Sequence, residues 1–140
     1  SVPTPYEPIY IYLQYRDREV LYDRINLRVD LMVEAGLIEE AKVFFDSPLG
    51  RTAKQAIGYK ELDPYFKGEK TLDECLENLK MQTRRYAKRQ LTWFRRYPDA
   101  VRLYLDTEQG VMKKTEDVIS EAVAAAELLL KENFAKYAER

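Results

Sequence analysis

The sequence predicts an α/β fold, mostly helical, from three observations. Two short runs read as strands: Ile9-Tyr10-Ile11-Tyr12-Leu13 near the start and Val101 to Leu105 far along the chain. Between them, apolar residues recur at helical spacing. A last helical pattern follows the second run. At 140 residues and 46% hydrophobic content, the chain is long enough to bury a core. Two strands do not make a stable open sheet alone. They are therefore expected to complete a sheet whose other strands lie outside these residues.

The elements follow in order. Residues 1–8 are proline-rich and read as a linker or a cut end. The run from Ile9 to Leu13 is β-branched and aromatic on both faces, the pattern of a buried parallel strand. Asp17 is placed to cap a helix running to Ala35, with Gly36 ending it. Its apolar stripe is Leu21, Ile25, Val29 and Met32. A short helix from Leu37 to Phe45 is closed by Ser47-Pro48-Leu49-Gly50. Thr52 is expected to cap a helix through Leu62, which would contain Gly58, and Pro64 begins the next turn. Gly68 falls in a loop. Thr71 and Glu74 form a capping box at the start of a long helix from Leu72 to Tyr97. Pro98-Asp99 breaks that helix. Val101, Leu103 and Leu105 then alternate with Arg102, Tyr104 and Asp106, the period of a strand. Thr115 is expected to cap a terminal helix over 115–139 with a stripe of Ile119, Val123, Ala126, Leu130, Phe134 and Tyr137.

Composition removes whole classes of chemistry. The single Cys75 excludes an internal disulfide and a cysteine-built zinc site. The absence of histidine excludes histidine triads and histidine-ligated metals. No apolar run approaches the roughly 20 residues that span a bilayer. The amino-terminal residues lack the basic and apolar regions of a signal peptide. These features lead to the expectation of a soluble cytoplasmic protein. No glycine is placed to build a GxxxxGK[ST] phosphate loop. The acids Glu39, Glu40, Glu69, Asp73, Glu74 and Glu77 scatter as solubility and capping charges.

One stretch departs from this neutral background. The chain carries 23 basic and 24 acidic residues, yet Lys80 to Arg102 holds eight Lys or Arg and one acid, Asp99. On the long helix Leu72, Leu76, Leu79, Thr83, Tyr86, Gln90 and Tyr97 share one face. Lys80, Arg84, Lys88 and Arg95 lie opposite, and Arg85, Arg89 and Arg96 flank the apolar face beside Gln82 and Trp93. At inward positions Thr83 and Gln90 would each cost roughly 1–3 kcal/mol without a partner, so they must bond backbone or ligand. A solvated face with intrahelical pairs is one reading, but residues 80–97 contain no acid to pair with. The other reading is a polyanion site. There, Arg and Lys supply charge-assisted bonds to phosphate, and Trp93 offers a stacking surface for a base.

Arg28 falls inside the apolar stripe of the first helix, with Arg24 one turn before it. A buried arginine there needs a carboxylate, phosphate or carbonyl partner, either a core acid such as Asp23 or Asp30 or a ligand. Gly58 within a helix costs about 1 kcal/mol against alanine. Such a glycine is expected either to admit another backbone or ligand at close range or to relieve crowded helix packing.

Four segments in order carry a family resemblance: Leu21-Tyr22-Asp23-Arg24-Ile25-Asn26-Leu27-Arg28-Val29-Asp30, Gly36-Leu37-Ile38-Glu39-Glu40-Ala41, Gln55-Ala56-Ile57-Gly58-Tyr59-Lys60-Glu61-Leu62, and Thr83 to Phe94. Together they closely resemble the C-terminal half of bacterial tRNA dimethylallyltransferase, also called tRNA isopentenyltransferase. The match spans roughly residues 8–106, and the terminal helix is generic. The resemblance implies that residues 1–140 are the C-terminal portion of a catalytic core. The two strands would complete a P-loop-NTPase-like parallel sheet with flanking helices. The family transfers a dimethylallyl group from dimethylallyl diphosphate, with magnesium, to N6 of adenosine 37 beside the tRNA anticodon, after the base flips out of its loop.

The implied tRNA-binding residues are Gln55, Ala56, Ile57, Gly58, Tyr59 and Lys60, together with Lys88, Arg89, Gln90, Leu91, Thr92, Trp93, Phe94 and Arg95. The Gln55 position is arginine in other members. Arg24, Arg28, Arg84 and Arg85 are candidates for either a phosphate or a structural partner. The family's phosphate loop and general-base aspartate belong to its N-terminal half and are not among these residues. The expectation is a fragment without transferase activity of its own, holding no metal site and drawn from an enzyme that is monomeric at full length. The alternative is a stand-alone helical RNA-binding module.

Overall fold

The computed structural model describes residues 8–48 and 55–138. The chain divides into two compact units, Leu21–Trp93 and the pairing of 1–20 with 94–140.

The first unit is helical. Helix α1 spans Arg18–Glu34 and α2 spans Leu37–Asp46. Between them Gly36 sits at φ 106°, a left-handed conformation that glycine adopts without a Cβ penalty. Helix α3, Asp63–Phe66, carries Pro64 in its first turn. There the missing N–H goes unmissed. Helix α4 spans Leu72–Phe94. Its capping box forms as expected: Thr71 N donates to Glu74 Oε2 at 2.9 Å, and Glu74 N donates to Thr71 Oγ1 at 3.2 Å. The core of this unit is Val29, Leu37, Ala41, Leu62, Cys75 and Leu79. It draws on α1, α2, α4 and the segment before α3.

The expected helix ending at Leu62 is corrected in its described part. Thr52 lies outside the described residues, and residues 55–62 are successive turns. Tyr59 N donates to Ala56 O, and Leu62 N donates to Tyr59 O. Gly58, at φ 102°, breaks the helical path. A Cβ built there would meet nothing within 4 Å. Backbone conformation, rather than crowding by neighbouring protein atoms, therefore demands the glycine. Helix α4 also ends three residues before Tyr97. Pro98 disfavours the helical conformation at the residue before it, and the chain leaves through turns closed by Tyr97 N to Phe94 O and Ala100 N to Tyr97 O.

In the second unit β1, Ile11–Gln14, pairs in parallel with β2, Val101–Tyr104, with Ile11 opposite Val101. Parallel pairing matches expectation, but burial does not: Tyr10 is 42% exposed and Leu13 is 55% exposed. A parallel strand is buried on both faces only where helices cover both. A fully buried Asp106 ties the strand ends together. Its carboxylate accepts from Arg16 N at 2.7 Å and Asp17 N at 3.3 Å. Asp17 Oδ1 in turn accepts from Glu19 N at 2.9 Å, the expected cap of α1.

Helix α5, Thr115–Ala138, begins at Thr115 rather than being capped by it. Its buried face is offset from the expected stripe. Val118, Ala122, Ala125, Ala126 and Leu129 are half-buried, so Ala126 falls on the inner face as expected, whereas Ile119, Val123, Leu130 and Phe134 are exposed. The helix packs against β2. The expected stripe followed side-chain size, and the side chain of Tyr137 lies outside the described ones. Among the described residues no helix is long and apolar enough to cross a membrane.

Candidate nucleic-acid interface

Helix α4 assigns its charges to two different roles. In its first half, Cys75 and Leu79 are buried in the core. Lys80 and Arg84 follow on the side facing α1. Lys80 Nζ lies 2.9 Å from Asp30 Oδ1 and 3.5 Å from Glu77 Oε1. Hydrogen bonding to the Asp30 carboxylate raises the Lys80 pKa above its ordinary value, overcoming desolvation, which pulls the other way. Arg84 donates to Asn26 Oδ1 at 2.7 Å. Asp30 and Asn26 are one turn apart on α1, as Lys80 and Arg84 are on α4, so the two contacts form rungs between the helices. Arg84 thus has a structural partner. The acid-free stretch finds its acids outside itself.

The second half is arranged differently. Arg85, Lys88 and Arg89 are exposed and, with Thr92, line a shallow concavity. Thr92 Oγ1 donates back to Lys88 O at 3.2 Å, and the Arg89 guanidinium carbon lies 5.7 Å from the Tyr86 ring centroid. Gln90 is exposed, so the expected penalty for burying its amide does not arise. Thr83 resolves as one of its two expected outcomes, donating to Leu79 O at 2.8 Å. Trp93 is 50% exposed. Leu91 is half-buried, and Arg95 is exposed just past the helix end. Phe94 belongs to the other unit, where its ring stacks on Tyr12 with centroids 4.4 Å apart. That contact gives Phe94 a packing role.

Arg24 and Arg28 are both exposed, and Val29 takes the buried position of α1. The expectation of a buried arginine is therefore corrected. Helix α1 presents a single fully buried residue, so its packed stripe is narrower than the sequence pattern suggested.

The turn over Gln55–Lys60 lies in the same unit and does not line the concavity. Gln55, Ala56, Ile57 and Lys60 are exposed, while Gly58 is buried. Tyr59 is tied down: its hydroxyl donates to Glu40 Oε1 at 2.6 Å, and its ring lies 4.7 Å from that of Phe44. Donation to the Glu40 carboxylate raises the phenol pKa. Below this turn lies Glu61, 4% exposed, which sequence reasoning did not single out. Its Oε2 accepts from Gly58 N at 2.8 Å. Asp106 was also missed. Each is an acid beside apolar positions, Leu62 for one and a strand end for the other, and that was the signal available. The described residues contain no group of three carboxylate or cysteine side chains able to hold a metal.

Basic side chains over a concavity, with an exposed indole one position beyond Thr92, can hold a phosphate backbone and offer a ring to a base. Comparisons with known proteins agree with the motifs. A tRNA dimethylallyltransferase of Streptococcus pneumoniae strain CGSP14 is 53% identical over 118 residues, covering 84% of this chain and 40% of the relative. One from Streptococcus thermophilus strain LMD-9 is 61% identical over 95 residues, covering 68% of this chain and 31% of the relative. Among solved structures, the full-length tRNA isopentenylpyrophosphate transferase of Bacillus halodurans superposes with a TM-score of 0.79 at 39% identity, over 96% of this chain and 43% of that one. A tRNA delta(2)-isopentenylpyrophosphate transferase of Staphylococcus epidermidis gives 0.65 at 35% identity, over 85% and 37%. The chain thus spans about two fifths of the length of these relatives. The family description IPP transferase matches residues 1–97, and the chain belongs to that family.

Proposed function

We propose that this chain is the tRNA-holding part of a prenyltransferase acting on the adenosine beside the anticodon. In the reaction, the N6 lone pair attacks the allylic carbon of dimethylallyl diphosphate. The carbon–oxygen bond breaks, diphosphate leaves with the bonding pair, and the N6 proton passes to a base. Stabilising the departing diphosphate carries much of the barrier reduction. None of these steps is assigned to a residue of this chain, and magnesium is left to residues beyond it.

The chain's own contribution is to hold and orient the anticodon stem-loop. Arg85, Lys88 and Arg89 meet phosphates, Trp93 offers a stacking face, and the Gln55–Lys60 turn meets the loop. The observation that carries this is the exposed Arg85, Lys88, Arg89 and Thr92 concavity in a chain of this family. A cytoplasmic enzyme, monomeric at full length, completes the reading.

One observation favours a second reading. Leu21–Trp93 is a compact unit with a buried cluster of its own, as a self-sufficient RNA-binding module would be. Incubating the 140-residue chain with dimethylallyl diphosphate, magnesium and an anticodon stem-loop tests both. The transferase-part reading predicts salt-sensitive binding without prenylation here, and prenylation by a chain of the relatives' length. Salt-sensitive binding with no prenylation at either length would favour the module. Prenylation by the 140-residue chain alone would overturn the assignment of all chemistry to residues elsewhere.

A further inference from the structure

Glu61 is a buried acid that the reading above does not use. One carboxylate oxygen, Oε2, accepts the Gly58 N–H at 2.8 Å. The other, Oε1, is buried with no hydrogen-bond partner among the described residues. Among the described residues it pairs with the half-exposed Lys60 ammonium at 3.9 Å, an ion pair too long for a hydrogen bond. An acid in such surroundings is costly, because its charge is taken from water and only partly compensated. Neighbouring Leu62 shows what the site accepts at no such cost: it is fully buried and apolar.

The bond to Gly58 has a local consequence. Gly58 takes a positive φ with open space where its Cβ would be, so crowding does not force the conformation. Ile57 just before it and Lys60 two residues after it are exposed, with the half-buried Tyr59 between Gly58 and Lys60. A backbone N–H pinned to a rigid carboxylate from three residues on holds this turn in one shape. The ion pair draws Lys60 to the same point.

We propose that Glu61 is a positioning residue for RNA, holding the Gln55–Lys60 turn in its binding shape through the Gly58 N–H and orienting the Lys60 ammonium. The proposal rests on the assignment of that turn to tRNA contact. Pre-shaping a loop removes the ordering cost that binding would otherwise carry.

The test measures the affinity of an anticodon stem-loop for the 140-residue chain across salt concentrations, with thermal melting alongside. Glu61→Ala removes both interactions and is expected to weaken binding about tenfold. Glu61→Gln keeps an acceptor for Gly58 N–H and loses the charge, and is expected to bind within about threefold of wild type. Glu61→Asp keeps the charge but is one methylene too short to hold the N–H, and is expected to bind more weakly than Glu61→Gln. This pair decides the matter even if Glu61→Ala does not fold. Lys60→Met is expected to reduce the salt slope by about one. Its effect should largely vanish in the Glu61→Ala background, because Lys60 is no longer held in place there.

A Glu61→Ala variant that melts lower yet binds the stem-loop like wild type would make Glu61 merely structural and overturn the inference. Glu61→Asp binding as well as Glu61→Gln would overturn it too. Absence of salt-dependent binding by the wild-type chain would instead overturn the reading of the RNA surface, and this inference with it.

Discussion

The two halves of α4 differ more than their composition suggests. Residues 72–84 place Cys75 and Leu79 in the core and tie Lys80 and Arg84 to Asp30 and Asn26 of α1. Residues 85–93 bury no side chain fully and leave Arg85, Lys88 and Arg89 exposed around one concavity. Their charges differ as well: residues 72–84 carry Lys80 and Arg84 against Asp73, Glu74 and Glu77, whereas residues 85–93 carry Arg85, Lys88 and Arg89 and no acid. Partnering further separates the two sets of cations. A cation already hydrogen-bonded to a carboxylate at 2.9 Å must surrender that bond before it can serve a phosphate.

The largest expected effect lies in the packed half. Leu79, 2% exposed, sits at the centre of the core. Leu79→Ala should lower unfolding free energy by about 2–5 kcal/mol in a denaturant titration. Stem-loop affinity measured where the variant is still folded should stay near wild type. The open half should behave in the opposite way. Arg85→Glu with Arg89→Glu should weaken stem-loop binding by about 2 kcal/mol, roughly thirtyfold, and leave melting within a degree or two. Unchanged binding would make this half a solvated face like any other.

Gly58→Ala tests the Gln55–Lys60 turn. The positive φ should make this variant about 1–2 kcal/mol less stable, although the added methyl meets no neighbour. A neutral result would mean that the backbone relaxes to negative φ at no cost.

The smallest effect concerns the rungs. Lys80 has its pKa raised in the folded state by the hydrogen bond to Asp30. Its contribution is therefore fully present below the ordinary lysine value near 10.5 and lost as pH rises through the raised folded value. Because Asp30 is half-exposed, the pair should contribute about 0.5 kcal/mol. Lys80→Met should remove the extra loss of stability that the wild type shows at high pH.

Features written in neighbouring residues were legible in the sequence. The Thr71–Glu74 capping box, the Asp17 cap and the Gly36 helix stop are local hydrogen-bond and dihedral solutions, and all three form. So does the parallel pairing of the two strand-like runs. Features set by partners distant in sequence were not legible. The inner face of α5 was misplaced because it combines alanines with Val118 and Leu129 rather than following the largest apolar residues. Arg28 was expected to be buried because spacing alone cannot say how wide a packed stripe is. The turns around Gly58 read as a helix because glycine is tolerated in helices, and only the positive φ reveals what that residue does.

The basic stretch was visible at once as charge. The division of labour within it was not, because Asn26 and Asp30 lie more than forty residues earlier in the chain.

That division can be measured directly as the slope of log affinity against log salt for an anticodon stem-loop. Replacing Arg85, Lys88 and Arg89 with glutamine should reduce the slope by roughly 2 to 3, the counterions that three phosphate contacts release. Replacing Lys80 and Arg84 with glutamine should leave it within about half a unit of wild type. Equal reductions from both variants would contradict the account, since the whole helix would then act as one undivided patch of charge.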